Sequence, residues 1–426
     1  MRKILPSVSA LLAGYLLLVM GHGLVSTLLS LRAVAEGMST GVIGLIVSGY
    51  YAGFVIGTLH GERVIARAGH IRAFAAFAAL ACISTLALPI FVDAAAWIVM
   101  RLLAGYALAG LSMVTESWMN AAASNENRGQ VLSLYGLTVY LGIGLGQYLL
   151  VLDSVEGFAL FSLAAALFAF SLIPVAMTRA VSPGGEDTSR FGFRALWKLS
   201  PLGIVGCLAS GLIVGGFSGM APVFGREIGL DNASIATFIA AALLGGFVLQ
   251  YPLGRLSDHM DRRWVITISG IGIGLSSIAM ASLAGSDEWT LAALSFVFGG
   301  FAYTLYSLSI AHANDFIATS DLVKASGGLL LAFGIGAAIG PFAASLFMGA
   351  LASSGLFVYT AVAAGLCTAF ALWRMSARPA LAAEDREPFV AMPQSTAMAY
   401  QLDPRGEPDV EDGPASETDT RPSTAN

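Results

Sequence analysis

Runs of roughly 20 apolar residues, the length a helix needs to cross a bilayer, recur along this chain at nearly even intervals. This limits the fold more than any other feature, because in lipid each run must satisfy its own backbone polar groups and so becomes a helix. The approximate cores are Val8 to Leu31, Val42 to Leu59, Phe74 to Val92, Ala94 to Val114, Val131 to Leu152 and Phe158 to Met177. After a polar break from Arg179 to Ser200 the series resumes: Ile204 to Phe224, Ile235 to Leu253, Trp264 to Ala284, Leu291 to Ala311, Gly327 to Leu346 and Leu356 to Trp373. The fold class expected is an all-α membrane protein of twelve transmembrane helices in two six-helix bundles. Charged residues make up only 12% of the chain, against about 25% in a soluble protein, which excludes a soluble fold. Gly, Ala and Ser are frequent within the runs, as close helix approach in lipid requires.

Several function classes drop out. The net charge is −5 with no basic cluster, so nucleic-acid binding has no electrostatic footprint. Cys82, Cys207 and Cys367 stand apart inside apolar runs, without a CxxC pair or a histidine at ligand spacing, and read as small packing residues. No phosphate loop of the GxxxxGK[ST] type occurs, nor HExxH or GxSxG, so neither ATP hydrolysis nor an intramembrane enzyme finds its motif. No cofactor or metal is expected. The first run exceeds a signal-peptide core and reads as a retained span.

Loop charge gives an orientation. Cytoplasmic loops carry the Lys/Arg excess, and alternate connections hold Arg63, Arg67, Arg72, Arg128, Arg179, Arg190, Arg194, Lys198, Arg255, Arg262, Arg263 and Lys324, with Arg374 and Arg378 after the last span. The opposite loops hold Arg32 and Arg226. Both termini are therefore expected in the cytoplasm, in an inner (plasma) membrane. The break includes RFGFRALWKL, which suits either a short interfacial helix or a solvated linker. Beyond Arg378 the polar, acidic stretches EDREP and RGEPDVEDGPASETDTRPSTAN suggest a disordered tail.

The halves overlay at a shift of roughly 190 residues. Gly53-Phe54-Val55 matches Gly246-Phe247-Val248, Gly61 matches Gly254, Arg32 matches Arg226, Asn120 matches Asn314, and Gly146-Gln147 matches Gly340-Pro341. Parallel repeats divide the chain into a bundle over residues 1–178, a linker over 179–200, a second bundle over 201–376 and a tail over 377–426.

The stretch after the eighth span, YPLGRLSDHMDRRWV, presents Gly254, Asp258, Asp261, Arg262 and Arg263, and resembles the signature loop of the major facilitator superfamily. The first-half counterpart keeps Gly57, Gly61, Arg67, Gly69 and Arg72 but has Ile65 or Ala66 where the acid would stand. In the fourth span, Arg101, Gly105 and Ala109 resemble a second family motif. From Glu116 to Gln147 the chain resembles the YcaD-like branch of bacterial major facilitators, while the helix-five proline motif of drug/proton antiporters is absent. The resemblance implies a secondary transporter that rocks two bundles about a midplane cavity, moving a small-molecule solute as a monomer, with protons as a coupling ion and efflux as one direction. It also implies that Asp258 approaches Asn127, Arg128 and Gly129 at the start of the fifth span when the carrier faces outward. A membrane receptor and an intramembrane enzyme without transport activity are the rivals that sequence leaves open.

Arg101 lies within its span at a cost of about 2.5 to 3.5 kcal/mol, so it should face protein or water. It either binds an anionic group or holds backbone carbonyls. Glu116, about 60° around the same helix, is either a proton carrier or an interfacial carboxylate. His22, flanked by Gly21 and Gly23, titrates near neutrality when unperturbed and is the other proton-carrier candidate, set against a simple interhelical hydrogen bond. Tyr51, Asn120, Tyr140, Gln147, Gln250, Tyr303, Ser307 and His312 offer cavity hydrogen bonds or tie helices together. Asp315, Asp321 and Lys324 read as solvated charges.

Overall fold

A computed structural model describes residues 5–124, 126–177, 192–317, 321–377 and 386–405. Twelve long helices occupy the predicted runs: α1 (Leu5–Ala35), α2 (Thr40–Ala68), α3 (His70–Ala87), α4 (Ala94–Ala122), α5 (Arg128–Tyr148) and α6 (Ala159–Met177), then, after the short α7 (Phe193–Leu199), α8 (Pro201–Glu227), α9 (Asn232–His259), α10 (Arg262–Ser282), α11 (Glu288–Asn314), α12 (Leu322–Leu351) and α13 (Gly355–Ala377). Among the described residues, eleven helices are long and apolar enough to span a membrane, and α6 adds a shorter apolar stretch, Ala159–Val175. Aspartates start several of them. Asp93 accepts from the N–H groups of Ala95 and Ala96, and Asp287 from those of Trp289 and Thr290, satisfying donors a helix start leaves open.

Helices α1–α6 and α8–α13 pack as two bundles with duplicated pairings: α2 on α4 and α9 on α11, α1 on α5 and α8 on α12, α3 on α6 and α10 on α13. Glycine sets the closest crossing in each. A Cβ on Gly53 would strike the Leu102 carbonyl and one on Gly105 the Tyr50 carbonyl, while in the second bundle Gly245 meets the Phe296 carbonyl and Gly299 that of Ala242. The repeat is therefore built into backbone contact, with Gly245 rather than Gly246 in the role of Gly53. Gly246 packs instead on Tyr303.

Within the polar break, α7 buries Leu196 and leaves Trp197 half exposed beside Phe370, the amphipathic pattern an interfacial helix needs. Residues 179–191 of that break lie outside the described residues.

The reading of residues 377–426 as a disordered tail does not hold for 386–405. This segment enters the space between the bundles, forms a 3₁₀ turn over Ala397–Leu402, and buries Met392, Thr396, Ala399, Tyr400 and Leu402. Met392, Tyr400 and Leu402 are buried among the helices, and bundle residues bond several of its polar groups, Thr396 and Gln401 among them. Residues 378–385 and 406–426 lie outside the described residues.

Candidate functional site

The bundles touch at the end of the molecule away from the arginine-rich connections. There Ser30 Oγ donates to the Gly219 carbonyl across the interface at 3.1 Å, Gly219 packs on Val47, and Gly44 in α2 lies against Ser345 and Pro341 in α12. On the far side Tyr140 in α5 meets Phe247 in α9 at 5.9 Å between ring centroids. Toward the arginine-rich end the bundles part. They enclose a cavity of about 720 Å³ lined by Tyr15, His22, Tyr50, Ser112, Tyr140 and Tyr303 among others. At His22, Tyr50 and Tyr303 it continues into a deeper lobe of about 180 Å³, which lies beside the sealed end and includes Arg101.

Arg101 is only 3% exposed. Its guanidinium lies 4.4 Å above the Tyr50 ring, a cation–π contact, and its Nε has no hydrogen-bond partner. No described residue forms an ion pair with it, and no acid lines the lobe. Around it stand Tyr51, Gln147 and Ser218, with His22 stacked on the same Tyr50 ring at 4.8 Å. Backbone carbonyls do not claim this cation, which leaves it available to a ligand.

Glu116, in contrast, has no exposed surface. Tyr135 donates to its Oε1 at 2.5 Å, the Tyr15 hydroxyl lies 2.9 Å from that of Tyr135, and Ser112 is 3.1 Å from Tyr15. Tyr15 and Ser112 both line the cavity, so hydroxyls connect the carboxylate to it. Thr396 of the C-terminal segment donates to Oε2. Of the two readings of Glu116, the interfacial, water-exposed carboxylate does not agree with this burial.

The remaining candidates divide. Tyr51, Tyr140, Gln147, Gln250 and Tyr303 all line one lobe or the other. Gln147 also ties helices, accepting from Thr27 at 2.5 Å and donating to the Gly23 carbonyl at 3.2 Å. Gln250 donates to Ser307 at 3.1 Å, and Ser307 donates to the Met392 carbonyl at 3.1 Å. Asn120 donates to Gln401 at 3.1 Å. His312 is not at the cavity: it faces Phe316 and a small crevice bounded by Asp261, Arg262, Arg263 and Asp315.

In the signature loop, Asp261 caps α10 and pairs with Arg263 at 2.7 Å. Asp258 accepts from the Phe389 backbone N–H at 2.8 Å and stands 3.6 Å from Arg262. In this state it therefore engages the C-terminal segment rather than the start of α5, where Arg128 is buried. Gly254 lies beneath the Phe389 ring. Of the first-half residues, Gly61 packs on Met113, Gly69 turns α2 into α3 with φ of 80°, and Arg67 and Arg72 are exposed. Asp315, read as a solvated charge, instead pairs with Arg262 at 3.0 Å with only 3% of its side chain exposed. Burial pushes its carboxyl up to about 6, against the pull of Arg262. Asp321 and Lys324 do form an exposed pair. Sequence reasoning missed Tyr15, Tyr50, Ser112, Tyr135 and the C-terminal segment. The run FVAMPQSTAMAYQL, whose apolar residues interrupt the polar tail, was the available signal for the last.

Duplicated six-helix bundles facing each other across a largely apolar, tyrosine-lined cavity, closed at one end, define a membrane-embedded secondary transporter. The chain belongs to the Major Facilitator Superfamily, whose family model matches residues 11–248 and again 220–402. It is 30% identical over 356 residues to the MFS-type transporter YcaD of Shigella flexneri serotype 5b, covering 83% of this chain and 92% of that protein. The YcaD of Escherichia coli O139:H28 matches to the same extent. Among solved structures the fold is similar to the nucleoside transporter NupG, with a TM-score of 0.67, 14% identity and coverage of 87% and 98% of the two chains. It is also similar to the D-xylose–proton symporter, with a TM-score of 0.65, 14% identity and coverage of 86% and 96%.

Proposed function

We propose that this protein carries a small organic anion with an apolar or aromatic body across the plasma membrane by alternating access, coupled to protons. The observation behind the substrate class is Arg101: a buried guanidinium without an acidic partner, facing a cavity whose other walls are mostly aromatic and aliphatic. Leaving such a charge within the membrane is costly, and an incoming carboxylate or similar group offsets that cost while its body stacks among Tyr50, Phe54 and Tyr303. Because the lobe lies between the seal and the wide cavity, rocking the bundles about it would expose the bound solute to either side in turn. The distribution of arginines supports placing the open end in the cytoplasm.

Glu116 supports the proton. A carboxylate without solvent contact, joined to the cavity by the hydroxyls of Tyr135, Tyr15 and Ser112, has a hydroxyl route along which a proton can reach it. His22 shares the Tyr50 ring with Arg101 and serves the anion site instead.

The test uses purified protein in vesicles and a panel of aromatic carboxylates, each beside its neutral amide and an amine of matched shape. The carboxylates should be taken up and should protect the protein against thermal unfolding, and Arg101→Gln should remove that preference. Arg101→Lys should restore it only in part, since lysine keeps the charge but not the planar fork. Equal handling of acid, amide and amine would overturn the anion assignment.

A further inference from the structure

We infer that the arginine-rich mouth of the cavity is a peptide-binding site, and that its occupant is the chain's own segment 386–405, a tethered ligand that holds the carrier open at this end and blocks the path to Arg101. The segment binds both bundles at once. On the first it meets Glu116 through Thr396, Asn120 through Gln401, and Gly129 through Pro404. On the second, Tyr400 shares a hydrogen bond of 2.7 Å with Tyr306, and Gln394 donates to the Tyr303 carbonyl at 3.3 Å. Asp258 and Asp315 accept from the backbone N–H groups of Phe389 and Glu387, at 2.8 and 3.3 Å. Arg262 reaches the Glu387 carbonyl. Side chains deep in both halves are thus matched by one strand of chain, and the segment satisfies its own charge, Arg405 pairing with Asp403 at 2.5 Å.

Two consequences follow from position alone. Closing this end requires the start of α5 and the end of α9 to approach, yet Pro404 lies on Gly129 of α5 and Phe389 on Gly254 of α9, so the segment must leave first. It also occupies Asp258, the acid of the signature loop, which accepts from the Phe389 backbone. Gln394 reaches the Arg101 lobe, so solute and segment compete for the same space. Only the eight residues 378–385 separate the segment from the end of α13, and a tether that short presents its ligand at about millimolar effective concentration. Docking is therefore favourable even when each contact is weak, and a binding partner that captures the segment would release the carrier.

The experiment needs no solute, so it is independent of the anion assignment. In a chain with Cys82, Cys207 and Cys367 replaced, Ser307→Cys places a thiol beneath Met392 at a site that is 1% exposed. In the same background, spin labels at Gln130→Cys and Arg255→Cys report the separation of α5 and α9 at this end. Ending the chain at Ala377 should speed maleimide labelling of Ser307→Cys at least tenfold and add a shorter α5–α9 separation that the full chain lacks. A synthetic peptide of residues 386–405, at about millimolar concentration, should reverse both effects. Full-length Thr396→Val with Tyr400→Phe, which keeps every helix, should move both readouts in the same direction by a smaller amount. Equal labelling in the full and shortened chains would show that the segment does not occupy the mouth. Faster labelling without the shorter separation would show that it covers the mouth without holding it open, and would overturn the locking role.

Discussion

The hydroxyl of Thr396 donates to Glu116 across 280 residues of sequence, and with Tyr135 on the other oxygen it completes the pairing of a carboxylate that water does not reach. The principal titratable candidate of the first bundle is thus held by the tail of the protein.

Replacing Thr396 with valine removes the donor at nearly constant volume. An acceptor left unsatisfied in a buried site costs about 1 to 3 kcal/mol, which should lower the docking equilibrium constant of the segment about fivefold to a hundredfold. Proteolysis of the tail in mild detergent should accelerate accordingly, and a cleavage rate equal to that of the parent would count against the bond.

Glu116→Gln keeps an acceptor for Tyr135 but cannot cycle a proton. In vesicles loaded with whichever carboxylate proves to be carried, exchange without a pH gradient should persist while accumulation driven by the gradient is lost. His22→Gln should leave the response to pH intact and weaken uptake. Gradient-driven accumulation that survives in Glu116→Gln would remove this residue from coupling.

Asp258 accepts from the C-terminal segment here, so the gating contact expected of its loop has to be tested without the tail. In the chain ending at Ala377, Asp258→Asn should favour the open arginine-rich end, because the closed form loses an anion near the start of α5, worth about 0.3 to 1 kcal/mol or more. A reporter cysteine on the opposite side of the cavity should then label about twofold to fivefold more slowly. Equal labelling would mean that the loop does not act as a gate.

Asp315 should give stability a pH dependence. Its carboxyl is raised from 3.8 to about 6 by burial, with Arg262, Arg386 and Arg405 facing it. The native state therefore holds a proton that the unfolded chain has already released. This stabilisation is full below pH 3.8 and is lost as pH rises through about 6, by at most about 1.4 kcal/mol per pH unit. Thermal unfolding across that window should show a falling midpoint, and Asp315→Asn should flatten the slope. Parallel slopes would exclude the assignment.

The helices were legible because lipid leaves a long apolar run little choice, and Arg101 was legible because a buried cation is expensive wherever it sits. Register was less so: one residue of drift put Gly246 where the crossing uses Gly245, since composition cannot tell which of two adjacent glycines faces a carbonyl. Glu116 could be placed on a helix face but not at a depth, because what buries it lies far away in sequence. Asp315 was misread for the same reason, its partners being Arg262 and the tail. The tail itself read as disordered because its polarity was weighed against water, whereas the walls receiving it carry Asp258, Asn120, Tyr306 and Glu116.

Because residues 386–405 follow α13, they leave the ribosome only after every membrane span has been made, so a newly synthesised carrier passes through a stage in which its mouth is empty. The genetics should reflect this order. A nonsense or frameshift allele that stops the chain just beyond Ala377 would leave both bundles whole and remove only the brake, so it should behave as a dominant gain of activity, while the same lesion a few dozen codons earlier would be a null.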